Sequence, residues 1–146
     1  MTGESSAAVN SIVTLMLDIN SENYAGAWHA STGRYNPSSG AFNAFQTGYQ
    51  TSRYYQATFG TPVSLASDLI AVPVRFVSHQ NGAAEGDPSI PACTYWPQYV
   101  YLVANRGDGW LPDTVGYYTG RGEVAALKRE GASGPALNPI AQETAC

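Results

Sequence analysis

Apolar residues recur at helical spacing between Ser5 and Ile19, with Val9, Ile12, Val13 and Met16 on one face and no proline to interrupt them. This predicts a long first helix, with Ser5 or Ser6 as its cap. Asn20-Ser21 breaks it. Glu22 to Ala30 then gives a short second helix presenting Tyr24 and Trp28 one turn apart. The stretch STGRYNPSSG, residues 31 to 40, is a loop by composition. AFNAFQTGYQ, residues 41 to 50, predicts a third helix, since Phe42, Phe45 and Tyr49 fall on one face despite Gly48.

After Thr51 the period changes from helical to two. Residues 54 to 59 and 63 to 65 read as one broken strand, and LIAVPVRFV, residues 69 to 77, alternates with Ile70, Val72, Val74 and Phe76 on one face and Pro73 and Arg75 on the other. A polar loop follows over residues 78 to 92. Residues 94 to 104 and 109 to 117 then form a closing hairpin that turns at Asn105 to Gly109. Residues 121 to 146 are a tail with a helical turn or two near Glu123 to Arg129. Proline cannot donate to a ladder, so Pro73, Pro97 and Pro112 are each expected at an edge or a bulge, and bulges bend a sheet. Helices first and antiparallel strands after them predict an α+β fold: N-terminal helices packed on a strongly curved antiparallel sheet, a cone-shaped roll with a concave face.

The last hairpin poses a question. Strict alternation along its first strand puts Tyr95, Tyr99, Tyr101 and Val103 on one face and Trp96, Val100 and Leu102 on the other. One face covers the helices, and the second needs a partner chain, a ligand, or the tail to cover it.

Bulk composition narrows the partners. The 146 residues are 44% hydrophobic, 12% aromatic and only 12% charged, which suits one folded unit at about residues 1–120 with the tail at 121–146. A net charge of −4 with no Lys/Arg cluster gives no footprint for nucleic acid. No apolar run reaches the roughly 20 residues of a membrane span, so no membrane insertion is expected. The start, MTGESSAAVN, lacks a signal peptide's basic end and apolar segment, so the chain is expected to be cytoplasmic or to begin after a removed leader. Cys93 and Cys146 are too few and too far apart for a zinc site. They read either as a disulfide tying the tail to the start of a strand, which implies an oxidising compartment, or as two unrelated thiols.

Three strings carry a family resemblance. LDINSENYAGAWHAS, residues 17 to 31, resembles the helix break and second helix of the nuclear transport factor 2-like superfamily, the cystatin-like cone fold. FNAFQTGYQTS, residues 42 to 52, is similar to its third helix entering the first long strand. CTYWPQYVYLVANRGDGWLPDT, residues 93 to 114, is similar to its last hairpin. The likeness spans about residues 9 to 117 and in style is nearest to small secreted or lipid-anchored bacterial domains, some of them sensor modules, with a cysteine before the penultimate strand. It implies a homodimer through the outer sheet face or a small-molecule pocket inside the cone, and a fold that hosts enzymes and binding modules alike.

An isomerase-like enzyme on this fold needs a carboxylate base and an acidic donor in the cone. The slot that resembles the donor's holds Leu15, and the loop where the base would lie, STGRYNPSSG, has no carboxylate. Asp18, His29, Asp68 and His79 read as solvated or loop residues. Asp113 is the weak catalytic candidate, set against a rim salt bridge with Arg75. Gly-rich phosphate loops, nucleophile elbows and metal motifs are absent from the sequence, so no metal and no cofactor are expected. The expected function is a non-enzymatic extracytoplasmic domain, a sensor or accessory module, that binds a partner protein or a small apolar ligand. The expected ligand site is Trp28, Tyr49, Tyr99, Tyr101 and Asp113; the alternative is a cofactor-free cyclase, isomerase or hydratase.

Overall fold

The computed structural model describes residues 2–30, 39–84, 88–89, 91–114, 122–130 and 132. It opens with α1 (Gly3–Asn20), whose cap is Thr2: the Thr2 hydroxyl accepts from the Ser5 amide at 3.1 Å, three residues before the serine cap expected. Ala8, Val9, Ile12, Val13, Leu15, Met16 and Ile19 form its buried face. Leu15, on that face, is thus a packing residue. Asn20 ends the helix with a double clamp on the next layer: its Nδ2 donates to the Tyr54 carbonyl at 2.9 Å, and the Tyr54 amide donates to its Oδ1 at 2.7 Å. Asn23 caps α2 (Tyr24–His29), accepting from the Gly26 amide at 3.1 Å. A Cβ on Gly26 would stand 2.4 Å from the Asn23 side-chain nitrogen, so a larger residue there would displace the capping side chain. The third helix is α3 (Ser39–Tyr49).

The strand expected to be broken is two strands, β1 (Arg53–Phe59) and β2 (Val63–Ala66), and both pair with β3 (Leu69–His79). β4 (Cys93–Asn105) and β5 (Trp110–Thr114) complete an antiparallel sheet in the order β1-β3-β4-β5, with β2 beside β3. The fold is therefore α+β, with the N-terminal helix packed on an open, curved five-stranded sheet. Register shifts interrupt four strand pairs and supply the bends.

The prolines explain where they fall. Pro73 is not at an edge but in the middle of a central strand, opposite Val100. It is tolerated because its other side lies between the end of the β1 pairing at Val74 and the start of the β2 pairing at Ala71, where no ladder amide is needed. Its carbonyl still accepts from the Gly60 amide at 3.0 Å. Pro97 sits in the shift between Tyr99 and Trp96, and Pro112 adjoins the shift on edge strand β5.

The Pro97 shift corrects the strict alternation. Trp96 moves to the inner face with Tyr99 and Tyr101, where it packs against the main core, while Tyr95 turns outward and is 57% exposed. That inner core joins the α1 face to Ile70, Val72, Val74, Phe76, Tyr101 and Val103. The outer face around Val100 and Leu102 is covered within the same chain. A second cluster joins Ala71, Val100 and Leu102 to Leu127 of α4 (Gly122–Glu130), longer than the turn or two expected. The Gln98 amide donates to the Arg129 carbonyl at 2.8 Å, holding the end of α4 on β4. The expected boundary at residue 120 falls outside the described residues.

Candidate functional site

The concave side of the sheet opens into a cleft of about 160 Å³ beyond the end of α1. Gly48 and Tyr49 of α3 form one wall; Ser52 and Tyr54 lead into β1; Phe76, Ser78 and Gln80 come from the end of β3; Trp96 and Tyr99 come from β4. Period-two alternation places Phe76, Ser78 and Gln80 on one side as β3 runs out of the core, so its character changes from apolar to polar along the cleft. The aromatic rings fix one another. Phe76 and Trp96 stack with centroids 6.2 Å apart at 27°, and Tyr99 meets both edge-on at 5.1 and 5.5 Å. Tyr54 closes on Phe76 at 5.3 Å. The Trp96 indole N–H donates to the Ser78 hydroxyl at 2.9 Å, which holds the ring in place.

Behind this wall lies Tyr101, which is 1% exposed, with its ring 5.3 Å from that of Tyr99. Burial pushes its hydroxyl well above the ordinary phenol value, and the neighbouring Tyr54, Tyr99 and Tyr49 and a hydrogen bond with Tyr54 push it further. Tyr101 therefore stays protonated through the physiological range and supports the Tyr54 wall instead of lining the cleft.

The expected ligand residues divide three ways. Tyr49 and Tyr99 line the cleft. Trp28 is buried one layer back; it meets Phe42 at 5.6 Å and Phe45 at 5.4 Å edge-on, and Phe45 in turn packs on Tyr49 at 5.0 Å, so Trp28 seats the α3 wall. Asp113 is on β5, away from the lining residues, and pairs with Arg106 of the hairpin turn at 3.2 Å. That corrects the expected partner, Arg75. Ser52, Tyr54, Phe76, Ser78, Gln80 and Trp96 were not foreseen as cleft residues. The signal for Ser78 and Gln80 is the β3 alternation carried two steps past Phe76, and for Trp96 it is Pro97 acting as a bulge.

The other ionisable candidates are dispersed. Asp18 ends α1, where partial burial raises its carboxyl and a hydrogen bond from Asn23 at 3.5 Å lowers it. His29 is exposed at the end of α2. Asp68 is in the exposed turn between β2 and β3, its carbonyl accepting from the Asn105 amide at 2.9 Å. His79 borders a second cavity of about 360 Å³ with Thr51, Asn81, Pro88 and Ala92, which shares Gln80 with the cleft. Among the described residues no three His, Cys, Asp or Glu side chains converge as a metal site, and no helix is long and apolar enough to cross a membrane. Cys93 opens β4 at an exposed position and is not a free cysteine; Cys146 lies outside the described residues.

No protein-family model matches the chain, and no curated protein matches it. A solved structure of a function-unknown protein from Mycobacterium tuberculosis aligns over 87% of this chain and 89% of its own, at 10% identity and a TM-score of 0.44.

Proposed function

We propose that this chain is a non-enzymatic binding domain of nuclear transport factor 2-like type, and that its cleft takes a small uncharged ligand about one ring in size. The observation that carries the reading is the lining itself: among the described residues, five aromatic side chains converge with Ser52, Ser78 and Gln80, and none of these is charged. Ring faces and several polar groups meet in the cleft, so a ligand there would stack and hydrogen-bond at once. At about 160 Å³ the cleft has room for a ligand of about one ring. A charged ligand would lose its hydration there without a counter-charge.

The same lining argues against acid–base turnover. General acid–base chemistry near neutral pH is best served by a group that titrates there, and the described lining residues offer phenols, hydroxyls and an amide. Titration calorimetry with single-ring compounds, comparing wild type with Tyr99→Ala and Asp113→Asn, tests this. Saturable binding is expected in wild type and in Asp113→Asn, and Tyr99→Ala is expected to weaken it about tenfold or more, since a ring worth 1–3 kcal/mol is removed. Loss of binding in Asp113→Asn alone would move the site to β5 and revive the enzyme reading.

We also propose a Cys93–Cys146 disulfide and a place outside the cytoplasm. Intact mass without reductant is expected two hydrogens below the reduced value; equal masses would remove both proposals. A homodimer through the outer sheet face would compete with α4 for Val100 and Leu102, so the cleft is the better-supported site.

A further inference from the structure

Gln80 lines both the aromatic cleft and the second cavity of about 360 Å³, so the two spaces meet at one residue. The neighbouring positions repeat the arrangement. Ser52 and Ser78 line the cleft, while Thr51 and His79, next to them in the chain, line the second cavity. Hydrogen bonds fix this junction: the Gln80 amide donates to the Ala92 carbonyl at 2.9 Å, and the Asn81 amide donates to the Thr51 hydroxyl at 2.8 Å. The chemistry changes across it. The described walls of the second cavity carry no Phe, Tyr or Trp; they include the small residues Ala83, Pro88 and Ala92, with His79 and Asn81 as side chains able to donate. An imidazole has an N–H to donate whether it is neutral or charged. Asn81 Oδ1 accepts from the Ala84 amide at 3.2 Å, which leaves Nδ2 as its donating end.

We propose that the cleft and the second cavity are two compartments of one site, and that the ligand is an aromatic ring carrying a short arm that ends in an uncharged carbonyl, as in an arylalkyl amide. This rests on the binding reading above and names its ligand class. The ring lies among Phe76, Trp96 and Tyr99, and the arm passes Gln80 to bring its oxygen to His79 and Asn81. A carbonyl oxygen has two lone pairs and can accept from both. Successive residues on one face of a strand lie about 7 Å apart, so an arm of about two or three carbons reaches from beside Ser78 past Gln80. The arm is uncharged like the ring, since the described residues of both compartments include no lysine or arginine to pair with an acid.

The test is calorimetry with phenol, which has no arm, and 3-phenylpropanamide, which has one, on wild type, His79→Ala and Ala92→Phe. The alanine removes a donor from the second cavity; the phenylalanine keeps the carbonyl that Gln80 uses and adds a ring to the cavity wall. In wild type the amide is expected to bind about tenfold tighter than phenol, the worth of one hydrogen bond. Each variant is expected to bring the amide down to the level of phenol and to leave phenol unchanged, so phenol also reports that the variant is folded. Equal affinities for the two compounds in wild type would overturn the inference and leave the cleft reading standing. An amide advantage that survives both variants would overturn it too, since the arm would then lie elsewhere. Loss of phenol and amide alike in both variants would also overturn it, because the two compartments would not be separable. Failure of both compounds to bind wild type would overturn the cleft reading and the inference with it.

Discussion

Tyr101→Ala is expected to destabilise the protein by about 3–5 kcal/mol, the range for removing a fully buried aromatic ring. Tyr101 is among the largest fully buried side chains, and it touches both the α1 core and the cleft wall through Tyr54 and Tyr99. Tyr101→Phe separates ring from hydroxyl. It keeps the packing and loses the hydrogen bond to Tyr54, so about 1 kcal/mol is expected. Urea unfolding at neutral pH reads both. The hydroxyl also predicts an alkaline limit. In the unfolded chain the phenol ionises near its ordinary value of 10.0, while in the fold it is held well above that. The folded state therefore keeps a proton that the unfolded state releases. The contribution is fully present below about pH 10 and is lost as pH rises beyond it, by about 1.4 kcal/mol per pH unit until the folded group titrates. Tyr101→Phe should fall less steeply above pH 10 than wild type. Matching slopes would mean that the phenol is not shielded.

Leu127→Asp is the second large effect. Leu127 is 8% exposed and lies on Ala71, Val100 and Leu102, with the half-buried Val63, Leu65 and Leu69 around them. Leu127→Ala is expected to cost about 2–3 kcal/mol by lost burial, and the aspartate more, since its charge would have no partner there. The patch so uncovered is the kind that drives association, so sedimentation velocity should show Leu127→Asp forming dimers or larger species while wild type does not change with α4 in place. A monomeric Leu127→Asp with wild-type stability would mean that α4 is not the cover of this face.

The fold was legible where one period runs uninterrupted. The α1 face at Val9, Ile12, Val13 and Met16 and the β3 face at Ile70, Val72, Val74 and Phe76 emerge as read, because each is set by a single repeat against one core. Legibility failed where the repeat breaks. The shift at Pro97 exchanged Tyr95 and Trp96, and with them the apparent exposed tyrosine face and the cleft's stacked ring. The break at Gly60 made two strands of one and so allowed Pro73 inside the sheet. Asp113 drew attention as a lone carboxylate on the last strand, but its charge is answered locally by Arg106, seven residues back across the hairpin turn. The cover over Val100 and Leu102 came from Leu127, in a tail whose own pattern is too short to announce a packed helix.

The most direct test of the central claim is a two-dimensional amide NMR titration with phenol. The account predicts saturable shifts in the Trp96 indole N–H and in the amides of Ser52, Ser78 and Tyr99, with Val100, Leu102 and Leu127 on the outer face unmoved. Absence of saturable shifts at those positions, or shifts centred on the His79 cavity or on Asp113 instead, would contradict it.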